Sequence, residues 1–200
     1  MSTTDEHGHH PDPLTEVERR AKALEDLLID KGLVRRQQID DLVQSYAEDI
    51  GPMKGARVVA RAWVDEEYRS RLLADGGAAI VELDLVARPD ELLIVVENTA
   101  EVHNVVVCTL CSCYPWAVLG LPPDWYKSAP YRARVVRAPR AVLAEMGCEL
   151  PDDVEIRIWD SSAEARYMVL PERPAGTGDL DEDELAALVT RDSMIGVARL

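Results

Sequence analysis

Three of the four cysteines in the chain stand within six residues, at Cys108, Cys111 and Cys113, and only Cys148 lies apart. Thiols crowded on so short a stretch admit several kinds of chemistry. A structural zinc site needs a fourth ligand and normally two C-x-x-C knuckles far apart in sequence. Here no second pair exists, and Cys148 or His103 would have to complete the tetrahedron from outside a knuckle. A redox C-x-x-C at the start of a helix accounts for Cys108 and Cys111 but leaves Cys113 without a part. Packed structural cysteines are not normally gathered on one tight turn. A further arrangement uses all three. In Cys111-Ser112-Cys113 the two thiols point the same way only if the backbone between them turns tightly. A metal on that turn reaches both sulfurs and the intervening backbone nitrogens, with Cys108 closing from the far side and one position left open. An amide nitrogen binds a metal only after losing its proton, which requires a strongly acidic ion: trivalent iron or cobalt qualifies, zinc and magnesium ordinarily do not.

The elements that must position this cluster read as a mixed α+β protein. At 200 residues the chain suits one globular domain with an appended arm. Apolar residues make up 47% and Phe is absent, so aliphatic side chains must fill the core. The charge balance is 22 basic against 37 acidic residues, a net −15, and such a surface repels polyanions, so a nucleic-acid partner is not expected. The longest aliphatic run, Leu92-Leu93-Ile94-Val95-Val96, is far too short to span a membrane, and no apolar signal core follows Met1. A soluble, cytoplasmic chain is the expectation.

Residues 1–13 read as a polar tail. Residues 14–51 read as a helical arm that either packs on its own domain or extends over a partner, and 52–200 as the main domain. In the arm, Leu14, Val17, Ala21, Leu24 and Leu28 draw a narrow apolar stripe, Thr15 and Glu18 have the spacing of a capping box, and Gly32 ends the helix. A second helix over about 35–50 carries Ile39, Leu42, Val43, Tyr46 and Ile50 before the Gly51-Pro52 break. Residues 53–83 read as helical, with Asp65 as a cap and Gly76-Gly77 interrupting the segment. Strands are expected at 92–97 and 102–107, with the cysteine cluster at the end of the second. Helix follows over 130–146, with Pro139 near a start and Gly147 after the end. Alternating Val154, Ile156 and Ile158 mark another strand, and Asp160 to Glu164 reads as a turn into a partner strand at 165–170. Asp179 and Glu182 open a last helix. The architecture expected is a helical arm followed by a layered α/β sandwich that carries a metal-binding cysteine loop.

At the cluster, Cys108-Thr109-Leu110-Cys111-Ser112-Cys113-Tyr114-Pro115-Trp116 and the following Val118-Leu119-Gly120-Leu121-Pro122-Pro123-Asp124-Trp125-Tyr126-Lys127 resemble the α subunits of nitrile hydratases. The resemblance extends through Trp159 to Glu164, Pro171 to Thr177, Arg191 to Val197 and, upstream, Gly51-Pro52-Met53 and Ala62-Trp63-Val64-Asp65. It implies low-spin Co(III) bound by the sulfurs of Cys108, Cys111 and Cys113 and by the backbone nitrogens of Ser112 and Cys113. Thr109 and Tyr114 resemble the cobalt branch, where iron members carry Ser and Thr. The resemblance also implies that Cys111 becomes a sulfinate and Cys113 a sulfenate, the nucleophile toward a nitrile, with Ser112 hydrogen-bonded beside it. Trp116 and Tyr114 would shape the substrate pocket, and Asp160 and Arg166 would support the subunit interface. The partners implied are a β subunit in one or two chains, which the arm wraps, and a cobalt-loading activator protein.

One departure bears on substrate. Counting back from Cys108 without a gap, Pro89 replaces the family's Gln, and Asp84 and Ala87 replace its glycines. Proline has neither the amide side chain nor a backbone N–H, so the polar network around the pocket must differ. Beside the small nitrile that the resemblance implies, a bulky one such as a nucleoside nitrile is a candidate substrate. The alternatives are the metal subunit of the related thiocyanate hydrolases and a non-catalytic metal or redox module.

Overall fold

The computed structural model describes residues 16–44, 52–85, 92–111 and 113–200. The expected tail, Thr15, Tyr46, Ile50, Ala87, Pro89 and Ser112 lie outside the described residues. The chain separates into two units, divided after Val43.

In the first unit, helix α1(Glu16–Asp30) carries the apolar stripe and ends as its sequence requires. Gly32 sits at φ +67, its N–H bonds to Ile29 O at 2.9 Å, and Leu33 N–H bonds to Leu28 O at 3.0 Å. These are the paired bonds of a Schellman ending, which satisfy the last free carbonyls. Helix α2(Arg36–Gln44) follows, and Arg36 reaches back to Glu25 and Asp26 at 2.8 and 3.0 Å. No residue of either helix is buried.

The second unit opens with three helices, α3(Pro52–Val64), α4(Glu66–Ala74) and α5(Gly76–Val81), broken at the expected Asp65 cap and next to Gly76-Gly77. The breaks are aspartates. Asp65 accepts from Tyr68 N–H and Asp75 from Ala78 N–H, both at 2.9 Å, and each side chain satisfies a donor that a continuing helix would have used. A Cβ on Gly76 would lie 2.6 Å from Leu93 O, so glycine lets α5 press directly on strand β1(Leu92–Glu97).

Strands β2(Val102–Val107), β3(Glu155–Asp160) and β4(Ala165–Leu170) complete two parallel pairs. β1 pairs with β4, Leu92 opposite Ala165, and β2 with β3, Val102 opposite Glu155. The expected partnership of β3 with β4 across Asp160–Glu164 does not form. In β2 the residues from His103 to Val107 are all buried, and in β4 those from Met168 to Leu170. Continuous burial of this kind belongs to parallel strands covered on both faces, not to a hairpin with one wet side.

Four short helices follow the cysteine loop: α6(Trp116–Leu119), α7(Asp124–Lys127), α8(Ala129–Val135) and α9(Pro139–Glu145). Pro139 starts α9, and Gly147, at φ +86, ends it in a second Schellman motif, with Cys148 N–H on Leu143 O at 2.8 Å. That turn carries Cys148 into the core beside Leu143, which gives this fourth cysteine a packing role. The cap of α10(Glu182–Leu188) is Asp181, not Asp179, because Asp181 and Glu184 exchange reciprocal capping bonds. Helix α11(Arg191–Ile195) ends at Gly196, φ +89, where a Cβ would stand 1.9 Å from Asn104 O. Aliphatic residues fill the core, with buried Tyr68, Tyr114 and Tyr126 supplying aromatic bulk in the absence of Phe. Among the described residues no helix is long and apolar enough to cross a membrane.

His103 is a buried titratable group of this core, 4% exposed. Its Nδ1 lies 3.3 Å from the Asn98 amide nitrogen, and the Asn98 oxygen is already taken by Asn104 N–H at 2.7 Å. Asn98 therefore donates, and Nε2–H donates to Gly196 O at 2.8 Å, which fixes a neutral ring. Burial lowers its pKa, with Arg199 adding to the effect, while the Gly196 bond and Glu172 act against it. The unfolded chain takes up this proton near pH 6.5 and the folded chain resists it, so the stability it confers is complete above that value and is lost as pH falls below it. The unfolding free energy read from urea denaturation should decline between pH 7 and 5.5 by up to ~1.4 kcal/mol per pH unit, and His103→Gln should flatten that decline.

Candidate metal centre

The loop begins where β2 ends. Cys108 is buried, Cys111 is exposed and Cys113 is half-buried. The Sγ atoms of Cys108 and Cys111 are 3.3 Å apart, those of Cys111 and Cys113 2.9 Å, and all three lie within 4.8 Å of one another. Cys111 N–H also points at Cys108 Sγ, 3.3 Å away, which curls the backbone over the sulfur. All three thiols are free of disulfide bonds.

The spacing discriminates between ions. Two sulfurs each ~2.3 Å from a shared ion stand about 3.8 Å apart at a tetrahedral angle and about 3.3 Å apart at a right angle. The Cys108–Cys111 pair matches the right-angled case, the Cys111–Cys113 pair is closer still, and both are closer than a tetrahedral angle at one ion would set them. The residues present therefore fit an octahedral or square-based ion. Burial, the hydrogen bond with Cys111 and the neighbouring Cys108 push the Cys113 thiol up to about 12, and Arg166 alone among the named groups pulls it down. Three sulfur anions at these distances need a highly charged ion between them.

Bonds from distant segments hold the loop backbone. Asp160, the last residue of β3, accepts from Thr109 N–H at 2.9 Å and from the Thr109 hydroxyl at 2.6 Å. Tyr126 in α7 donates its hydroxyl to Cys113 O at 3.0 Å. Arg132 in α8 donates to Cys111 O at 3.1 Å. Beside β2, Ser161 N–H bonds to Val107 O at 2.7 Å.

The expected site residues fall into distinct places. Asp160 places both carboxylate oxygens on Thr109 within this chain, and Arg166 stands close enough for its charge to act on Cys113. Tyr114 is 1% exposed, with its ring edge-on to Tyr126 at 5.0 Å, whereas Trp116 opens α6 at the surface, 42% exposed. The expected nucleophile Cys113 and ligands Cys108 and Cys111 come together. Arg132 and the anchoring role of Tyr126 are additions from the structure. Nothing local in the sequence marks Arg132 out; its only signal is a basic residue on a predicted helix in an acidic chain. Upstream, Asp84 stands at φ +60, a left-handed conformation natural for glycine and tolerated by aspartate.

Residues 15–198 match the family described as nitrile hydratase, alpha chain. The chain belongs to that family. Among nitrile hydratase α subunits, it is 56% identical over 191 residues to the low-molecular-weight cobalt-containing subunit of Rhodococcus rhodochrous, covering 96% of this chain and 92% of the relative. It is 44% identical to the thiocyanate hydrolase γ subunit of Thiobacillus thioparus, covering 88% and 76%. Among solved structures, it superposes on a double mutant of the Fe-type nitrile hydratase of Comamonas testosteroni Ni1 with a TM-score of 0.84 at 45% identity, covering 92% of this chain and 90% of that one. The chain thus shares the fold of that nitrile hydratase chain over most of both lengths.

Proposed function

We propose that this chain is the metal-carrying α subunit of a heteromeric nitrile hydratase, adding water across a C≡N bond to give the amide. The observation that carries this reading is the gathering of the Cys108, Cys111 and Cys113 sulfurs within 4.8 Å of one another on a loop braced by the rest of the domain. These sulfurs, with the backbone nitrogens of Ser112 and Cys113, would hold cobalt(III). Cobalt rather than iron is supported by Thr109, Tyr114 and the cobalt-containing relative. Bound there, the trivalent ion supplies Lewis acidity that makes the nitrile carbon electrophilic.

The chain's own residues do the rest. Cys113, as the sulfenate, presents an oxygen to the nitrile carbon as nucleophile, and Cys111, as the sulfinate, stays on the loop as an acceptor. Ser112 supports the oxidised sulfur through its hydroxyl. Trp116 forms an apolar wall of the pocket and Tyr114 backs it from within. Overall one water is consumed and no electron changes hands. A β subunit, in one or two chains, closes the loop and is embraced by the arm of residues 14–51. Asp160 and Arg166 brace the same face, and 52–200 is the catalytic domain. A cobalt-loading activator fills the centre in the cytoplasm. With Pro89 in place of the family Gln, a bulky nitrile, such as a nucleoside nitrile, is the preferred substrate.

The test is metal analysis joined to intact mass on the α chain co-expressed with its β subunit and activator. One cobalt and three added oxygens per α chain are expected. Full-rate nitrile hydration by a heteromer holding neither cobalt nor iron defeats the reading. The thiocyanate hydrolase likeness is answered on the same sample: amide from nitriles is expected, and carbonyl sulfide from thiocyanate would transfer the chain to that activity.

The clamp on the loop gives a further expected outcome. Asp160→Asn keeps the shape but turns one acceptor into a donor facing Thr109. Loss of one charge-assisted bond of this type removes ~1.5–3 kcal/mol, so turnover should drop about 10- to 100-fold, measured alongside cobalt content.

A further inference from the structure

Arg132 is the feature that the proposed chemistry leaves unused. It lies on α8, half-buried, with Nη1 donating to Cys111 O at 3.1 Å. Its Nε is buried without a hydrogen-bond partner, and among the described residues it forms no ion pair. Its neighbours behave otherwise: Arg134 pairs with Glu145, and Arg140 ties down the carbonyls of Leu150, Pro151 and Val154. In a chain with 37 acidic residues, this guanidinium is turned onto a single carbonyl of the cysteine loop.

That carbonyl is not an ordinary one. The oxygen of Cys111 belongs to the same peptide unit as the nitrogen of Ser112. A peptide whose nitrogen serves as an anionic ligand shares its negative charge between nitrogen and oxygen. A cation hydrogen-bonded to the oxygen holds charge there and leaves less on the nitrogen. The nitrogen then donates more weakly, and the ion it binds stays a stronger Lewis acid.

We infer that Arg132 is a positioning residue of the metal centre, fixing the Cys111–Ser112 peptide and drawing electron density from it through the Cys111 carbonyl. The inference rests on the metal-centre reading above. It differs in kind from the influence of Arg166, which acts on the Cys113 sulfur. Arg132 acts on the backbone.

The experiment compares wild type, R132K and R132Q in the cobalt-loaded heteromer, reading cobalt content, the sulfur-to-cobalt charge-transfer absorption and nitrile turnover. With cobalt retained, R132Q should move the absorption to higher energy and lower kcat ~10- to 100-fold, the range for losing a charged hydrogen bond. R132K keeps the charge without the planar fork, so both readouts should return part of the way to wild type. If R132Q fails to load cobalt while R132K loads it, the assignment also stands, since the charge is then needed to form the centre. Equal losses in both variants with an unmoved absorption would leave Arg132 a purely structural contact and overturn the inference. So would a fully loaded R132Q with wild-type absorption and rate. A wild-type heteromer without a trivalent metal is a separate failure: it defeats the metal-centre reading itself, and metal analysis identifies it before any variant is compared.

Discussion

Replacing Cys113 with alanine in the reconstituted, metal-loaded heteromer is expected to reduce nitrile turnover at least ~1,000-fold. Two losses coincide at this atom. Sγ of Cys113 sits 2.9 Å from Sγ of Cys111 as part of the ligand set, and in the proposed mechanism it also bears the nucleophilic oxygen. The backbone is spared, because Tyr126 holds the Cys113 carbonyl and not its side chain. Removing one half-buried sulfur should lower stability by only about 1 kcal/mol, so the variant folds and its activity can be interpreted. Cys113→Ser separates the two roles, since a serine oxygen can approach the ion but cannot become a sulfenate. Cobalt retained with activity gone in the serine variant assigns the loss to the nucleophile. Wild-type turnover in Cys113→Ala would remove the mechanism and leave the chain a metal or redox module.

Gly196→Ala is the substitution expected to damage the fold most. Gly196 ends α11 in the left-handed region, where a side chain costs ~1–2 kcal/mol. Its Cβ would also stand 1.9 Å from Asn104 O and 3.0 Å from Val105 Cα, both backbone atoms of the buried strand β2. Backbone in a parallel pair cannot step aside cheaply, and the Gly196 carbonyl is itself held by His103. Together these should lower the unfolding free energy by at least ~4 kcal/mol, read from urea denaturation of the heteromer's α chain. Gly32→Ala is the matched control. Gly32 is also left-handed, at φ +67, but nothing lies within 4 Å of its Cβ position, so only the conformational cost of about 1 kcal/mol applies. Similar losses for the two variants would show that the turn after α11 can move away from β2.

What the sequence disclosed follows the range of the forces involved. The cysteine spacing, the ends of α1 and α9 at Gly32 and Gly147, and the spans of β1, β2 and β4 are local facts, written in a few consecutive residues. Helices of four or five residues, such as α6, α7 and α11, are too short to show a period. Asp75 was hidden by the more conspicuous glycines after it, although the aspartate supplies the cap. Strand partners were less legible still. β3 and β4 are separated by four residues and look like two arms of a hairpin, yet each joins a strand more than fifty residues earlier. That choice is made by which faces are covered, which is a property of the assembled core. The contacts on the cysteine loop are equally remote: Thr109 to Asp160 spans 51 positions and Cys111 to Arg132 spans 21. Composition can hint at a cation in an acidic chain, but only folding brings it to a carbonyl.

Those remote contacts limit what a small synthetic mimic can achieve. A linear nonapeptide copied from 108–116 would contain every sulfur, yet none of the props that Asp160, Tyr126 and Arg132 apply to its amides. In solution it would sample open shapes and cross-link with itself. A chemist copying this centre should therefore begin with a macrocycle, rigidified so that ring strain substitutes for the missing protein.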